Sequence, residues 1–255
     1  MLKKILKITG ISLLVLVLTL AAVPYLFKDK IKALITKTLN ENVNATIAFK
    51  EVNLNLFNSF PRACVSVDQL SIITKAPFEN DTLLYTGTTQ VTLNLKELFK
   101  TEGETVTLES FSIIDGIVNL IYNEEGIANF DIALKEKTDK KNNDSKPFAL
   151  HFQEYELKNL NFTYTDRGTK LKMAVDQINH EGKGNFAAQK LDLETKTTAL
   201  LSFEMDHMRY LKNVAIALEA VVGIDVEKNK FEFKDTTALI NQLPLAFNGF
   251  VQMTE

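Results

Sequence analysis

From residue 45 onward, apolar side chains recur at every second position. Val52, Leu54 and Leu56 alternate with Asn53 and Asn55, Ala63, Val65 and Val67 with Cys64 and Ser66, and Val91, Leu93 and Leu95 with Thr92 and Asn94. The same beat returns at 157–164, in Leu171, Met173 and Val175, in Ala199, Leu201, Phe203 and Met205, and in Leu243, Leu245 and Phe247. Its longest run is Val214, Ile216, Leu218, Ala220 and Val222. Successive side chains of a strand point to opposite faces, so this period gives each strand one apolar and one polar face. Turn chemistry separates the runs: Asn123-Glu124-Glu125-Gly126, Asp166-Arg167-Gly168 and Glu227-Lys228-Asn229-Lys230. Short strands joined this way predict a mainly β chain built as an antiparallel meander rather than βαβ units. The beat breaks at 94–100, where LKELFK predicts one or two turns of helix.

Residues 135–146, KEKTDKKNNDSK, hold almost no apolar side chain and read as a solvated, flexible loop. They divide the β region into a first segment, 45–134, and a second, 147–255. A weak echo spans the loop: residues 108–122 and 157–166 share an apolar residue, two polar ones, a strand and a turn. Repeated β-modules of this kind stack into an extended sheet. The final residues, FNGFVQMTE, read as a strand interrupted mid-element, so a longer native protein is expected.

The first 44 residues follow a different pattern. Residues 8–27 contain no charged side chain. Twenty helical residues rise about 30 Å, the thickness of a bilayer's hydrocarbon core. Lys3, Lys4 and Lys7 precede the run, and Lys28, Lys30 and Lys32 follow it with Asp29. The flanking charge is nearly balanced and votes only weakly for the N-terminus inside. A cleaved signal peptide is the competing reading. It calls for a shorter apolar run before a small-x-small site, whereas Ala21 and Ala22 lie inside this run and Pro24 to Phe27 continue it. Residues 1–28 are therefore expected to be a transmembrane anchor. In 29–44, Ile31, Leu34, Ile35, Thr38 and Leu39 fall at helical spacing and predict a short amphipathic helix.

The residues that carry chemistry are scattered. Cys64 is the sole cysteine, so no intrachain disulfide forms. His151, His180 and His207 have no His, Cys or carboxylate at ligand spacing. Gly182-Lys183-Gly184 lacks the third glycine of a dinucleotide loop, and neither a G-x-S-x-G elbow nor an H-E-x-x-H pair occurs. Glycosylation triplets at Asn44, Asn80, Asn143 and Asn161 are expected by chance in a chain rich in Asn and Thr. A net charge of −3 spread along the chain offers no basic face to nucleic acid. The expectation is a protein without catalytic residues, metal or cofactor. What stands out is apolar strand surface. In a closed sandwich it forms a core; in an open, curved sheet it lines a groove suited to acyl chains.

The order of features resembles the N-terminal part of the AsmA-like proteins of Gram-negative envelopes. The anchor and amphipathic helix are followed by Phe60-Pro61 before the strand at 63–67 and by Leu70 to Ile73. Then come Val91-Thr-Leu-Asn-Leu with Leu98-Phe99, the run from Val106 through Leu120, and the turn Glu125-Gly126-Ile-Ala-Asn129-Phe130. The likeness covers about residues 1–250, and the Asn, Lys and Phe bias is similar to the Bacteroidetes branch. It implies an inner-membrane, single-pass protein with its bulk in the periplasm, serving outer-membrane assembly and homeostasis. It also implies an elongated curved antiparallel sheet of the bridge-like lipid-transfer type, guiding phospholipid along a hydrophobic groove. On that reading the groove candidates are Val91, Leu93, Leu95, Val106, Leu108, Val118, Leu120, Leu201, Phe203, Val214, Ile216 and Leu218. The partners are membrane phospholipid, the inner membrane through residues 8–27, and other envelope proteins. The rival is a non-catalytic envelope scaffold with a closed β-core.

Overall fold

The computed structural model describes residues 43–56, 61–100, 107–132, 153–186 and 188–253. The expected anchor, all but the end of the amphipathic helix, the polar loop 135–146, Phe60, Val106 and His151 lie outside them. Strands make up 74% of what is described, and they form one sheet that does not close on itself. In chain order they are β1 (Ala45–Ala48), β2 (Glu51–Asn55), β3 (Arg62–Thr74), β4 (Thr82–Asn94), β5 (Leu108–Tyr122) and β6 (Glu154–Asp166). There follow β7 (Leu171–Lys183), β8 (Lys190–Met205), β9 (Met208–Asp225), β10 (Lys230–Ile240) and β11 (Leu243–Gln252). The helical turn expected at 94–100 is a 3-10 turn, Leu95–Phe99, with the Asn94 side chain accepting from the Lys96 N–H at its start.

Sheet order follows chain order from β3 to β11, and β1 and β2 lie end to end along the outer edge of β3. Neighbours are antiparallel with one exception. β5 and β6 run parallel, Ser110 opposite Glu154 and Tyr122 opposite Asp166, so the meander is not antiparallel throughout. The turn at 123–126 brings the chain back only as far as an isolated antiparallel bridge, Tyr122 with Ala128, and does not join β5 to β6 as a hairpin. It opens a 31-residue connection, 123–153, whose ends lie at opposite ends of the strand pair. A 13-residue strand spans about 43 Å, a distance that many residues cover readily. Buried Asn129 fixes the start of the connection. Its side chain accepts the Ile121 N–H at 2.9 Å and donates to the Asn119 carbonyl at 2.9 Å, replacing the strand partner that β5 lacks there. The two echoed segments lie in these two parallel strands, but Phe111 pairs with Tyr155, not with Leu160 as the echo aligns them.

The strands are longer than the alternating runs predict, because kinks join the runs in pairs. Gln69, Asp115, Asn159, Gln177, Asn213 and Asp235 each hold a left-handed backbone, φ 47–57°, in the middle of a strand. The first four form a row: Gln69 faces Gly87 on β4, Gly87 faces Asp115, and Asn159 and Gln177 continue it on β6 and β7. A left-handed residue strips N–H groups from the ladder, and short amide side chains take them up. Asn179 Oδ1 accepts from the Asn159 N–H at 3.2 Å, Asn161 Oδ1 from the Gln177 N–H at 3.0 Å, and Asn159 Nδ2 donates to Asp115 Oδ1 at 2.7 Å. On β9 the Ser202 hydroxyl accepts from the Asn213 N–H at 3.0 Å. Bulges of this kind bend a sheet and raise its twist.

Packing is uneven. Val52, Leu54 and Leu56 close against Ala63, Val65, Val67 and Leu93, with Phe49, Leu70, Leu95 and Leu108 packed around them. Beyond this cluster each described strand makes substantial contact only with its hydrogen-bonded neighbours, so the described strands form a single layer.

Candidate functional site

Residues directly opposite each other in register share a face. One register line crosses nine strands: Val67, Thr89, Ile113, Leu157, His180, Thr197, Leu218, Ala238, Leu245. A second runs Ile72, Leu84, Val118, Phe162, Val175, Leu201, Val214. One residue along from the first line lies the opposite face: Ser66, Gln90, Ser112, Glu156, Glu181, Lys196, Glu219. The sheet therefore has one mostly apolar side and one mostly polar side, the latter also holding Tyr85, Ile117, Leu200 and Leu239. The polar side carries exposed ion pairs such as Lys196–Glu219 at 2.7 Å and Lys234–Asp192 at 2.7 Å. Such pairs add little stability and keep that face wet.

Val91, Val118, Leu120, Leu201, Phe203, Val214, Ile216 and Leu218 lie on the apolar face, half-buried. Leu93 and Leu108 share the face but belong to the closed cluster, where Leu93 is 5% exposed. Leu95 is in the 3-10 turn, not a strand, because the Asn94 cap ends β4 one residue earlier. Val106 lies outside the described residues. The face also holds residues that alternation alone did not single out, among them Phe111 and Phe233, with Phe111 stacked on Tyr155. Each left-handed residue slips the phase of alternation by one. An Asp, Asn or Gln at a break in the beat, as in Ile113-Ile114-Asp115-Gly116, is the signal that marks the slip.

Exposure rises toward the far edge. On β5 and β6 the residues of the apolar face are half-buried, Leu160 being buried, and at Gly116 an added Cβ would lie 2.7 Å from Leu160 Cδ1. On β11 every residue is exposed, Leu243 at 61% and Phe247 at 46%.

A chain of polar groups interrupts the apolar face. The Tyr155 hydroxyl lies 2.6 Å from His180 Nε2, and His180 Nδ1 lies 2.7 Å from the Thr197 hydroxyl. Burial holds the His180 imidazole below its ordinary range, against the opposing pull of Glu181, and pushes the Tyr155 phenol up. Elsewhere the groups that carry chemistry stand apart. Cys64 sits on the polar face, and burial pushes its thiol up against a hydrogen bond with Thr92. His207 is exposed in the β8–β9 turn. Among the described residues no group of His, Cys, Asp and Glu could hold a metal ion, and no helix is long and apolar enough to cross a membrane. A recess of about 340 Å³ dents the polar face over Ala215 and Ala217, rimmed by Gln177, Asn179 and Asn241. The Asn241 side chain there is engaged by the Ala215 N–H.

Comparison with protein-family models, with curated sequences and with solved structures finds no match to this chain.

Proposed function

We propose that this protein guides acyl chains of phospholipid along an elongated, curved trough formed by the apolar face of its sheet. The observation that carries the reading is an apolar face that runs across the sheet, interrupted by the Tyr155–His180–Thr197 chain, with no described strand packed over it. The kinks give it shape. A row of bends running across β3 to β7 folds the sheet about an axis perpendicular to the strands, as a U-shaped cross-section requires. Burial of acyl chain is favourable by about 0.8 kcal/mol per CH₂ and is non-directional. Sliding along such a face exchanges one methylene contact for another, so binding and movement are compatible. Residues 8–27 would tether the trough to the inner membrane with the sheet in the periplasm, in line with the resemblance to AsmA-like proteins and a role in outer-membrane homeostasis.

A photo-crosslinking side chain tests this. Placed at Val175 or Ile216, it is expected to yield lipid adducts; placed at Asp176 or Glu219, on the polar face, it is not. Absence of adducts from the apolar face overturns the reading. The closed cluster at β2–β4 favours the rival, a scaffold without lipid, and on that account lipid adducts form at neither face.

A further inference from the structure

We infer that Thr197, at the end of the Tyr155–His180–Thr197 chain, is a polar subsite on the apolar face that takes a neutral oxygen acceptor, the ester carbonyl of an acyl lipid. This rests on the trough reading. The three side chains come from β6, β7 and β8 and stand on one side of the sheet. Tyr155 is held by Phe111 and Phe186, and its ring covers Gly182, where an added Cβ would fall 2.4 Å from Cε1. His180 is thereby fixed between two hydroxyls.

A neutral imidazole carries one proton, so the chain runs in one of two directions. When Tyr155 donates to Nε2, Nδ1–H donates to Thr197, whose hydroxyl keeps its own proton for a further acceptor. His180 is the one hydrogen-bond partner of the Thr197 side chain among the described residues. A donor on an apolar face gains from any acceptor brought to it there. Around Thr197 the floor is low: Ala199, Ala220 and Ala238 are small, and the taller Leu218 stands opposite it in register on β9. The charge pattern selects a neutral acceptor over an anion. Lys158, Lys183 and Lys196, with Glu156, Glu181, Glu194 and Glu219, all lie on the opposite face.

The test uses the full chain in detergent with three fluorescent probes: a diester phospholipid, its diether analogue and a plain alkane. Wild type is expected to bind the diester about three- to tenfold tighter than the diether, the effect of one hydrogen bond. Thr197→Val should erase that preference and leave the alkane unchanged, and Thr197→Ser should restore it. Inorganic phosphate should not compete. Equal binding of diester and diether by wild type overturns the subsite and leaves the trough standing. Failure to bind any of the three, alkane included, overturns the trough itself. Should Thr197→Val fail to fold, the wild-type preference and its loss in His180→Phe decide the matter.

Discussion

The two ends of the sheet use the same alternation for different purposes. At β2–β4 the apolar faces close on one another, with Val52 and Leu56 at 1% exposure and Ala63 at 0%. At β9–β11 the larger residues of the same chemistry stay half-buried or open, Leu243 at 61% and Phe250 at 63%, and of the apolar residues only Ala220 and Ala238 are buried. The difference is not in the strands. It comes from what lies beside them: β2 pairs along β3, and Phe49, Leu70, Leu95 and Leu108 pack against the cluster at the first end, whereas β11 is an edge strand with no described element beyond it. Apolar alternation therefore specifies that a face exists, and the connections decide whether it becomes a core.

The strongest way to break this comparison is a charge on each end. Val65→Asp should unfold the first end, because an unpaired buried carboxylate costs an amount comparable to a domain's whole stability of about 5–15 kcal/mol. Ile216→Asp should fold, its carboxylate reaching water, and should lose acyl-chain binding. Circular dichroism with thermal melting reads the first outcome, and a lipid-binding assay the second. If Ile216→Asp unfolds as completely as Val65→Asp, the far face is a core after all. Truncation is gentler. Leu93→Ala should cost about 2–5 kcal/mol in urea melts, and Leu218→Ala about 1 kcal/mol or less.

The kinks sharpen the contrast. A β-branched residue strains a left-handed position by about 1–2 kcal/mol, so Asn159→Val should be destabilised by that much relative to Asn159→Gly. Equal stabilities would mean that the kink relaxes and is not imposed by its neighbours. The smallest effect is a pH dependence. His180 has a lowered folded pKa, so the unfolded chain binds its proton more readily. Stability should then fall as pH drops below the unfolded value of about 6.5 and level off below the folded one. Subtracting the curve of His180→Phe from that of wild type isolates this component; a difference that is flat with pH rules it out.

Much of this was legible in the residues. Val214 to Val222 announce both strand and face, and the turns at 167–170 and 226–229 fall where Asp166-Arg167-Gly168 and Glu227 to Lys230 are written. Three things were not. The parallel pairing of β5 with β6 leaves no local mark, since a connection's path is not encoded in its turn residues. The kinks hid because each merges two runs that look like separate strands. The polar chain hid because its members, 25 and 17 residues apart, meet only across register.

Contact confined to neighbouring strands makes the sheet a ruler. Ten strand positions lie side by side, and their nine steps of about 4.8 Å carry the face over a contour of about 43 Å. Inserting a hairpin would lengthen that reach by about 10 Å and leave every existing contact except the one at the joint. The distance such a protein bridges is thus counted in strands, and it can change in evolution without the cross-section being redesigned.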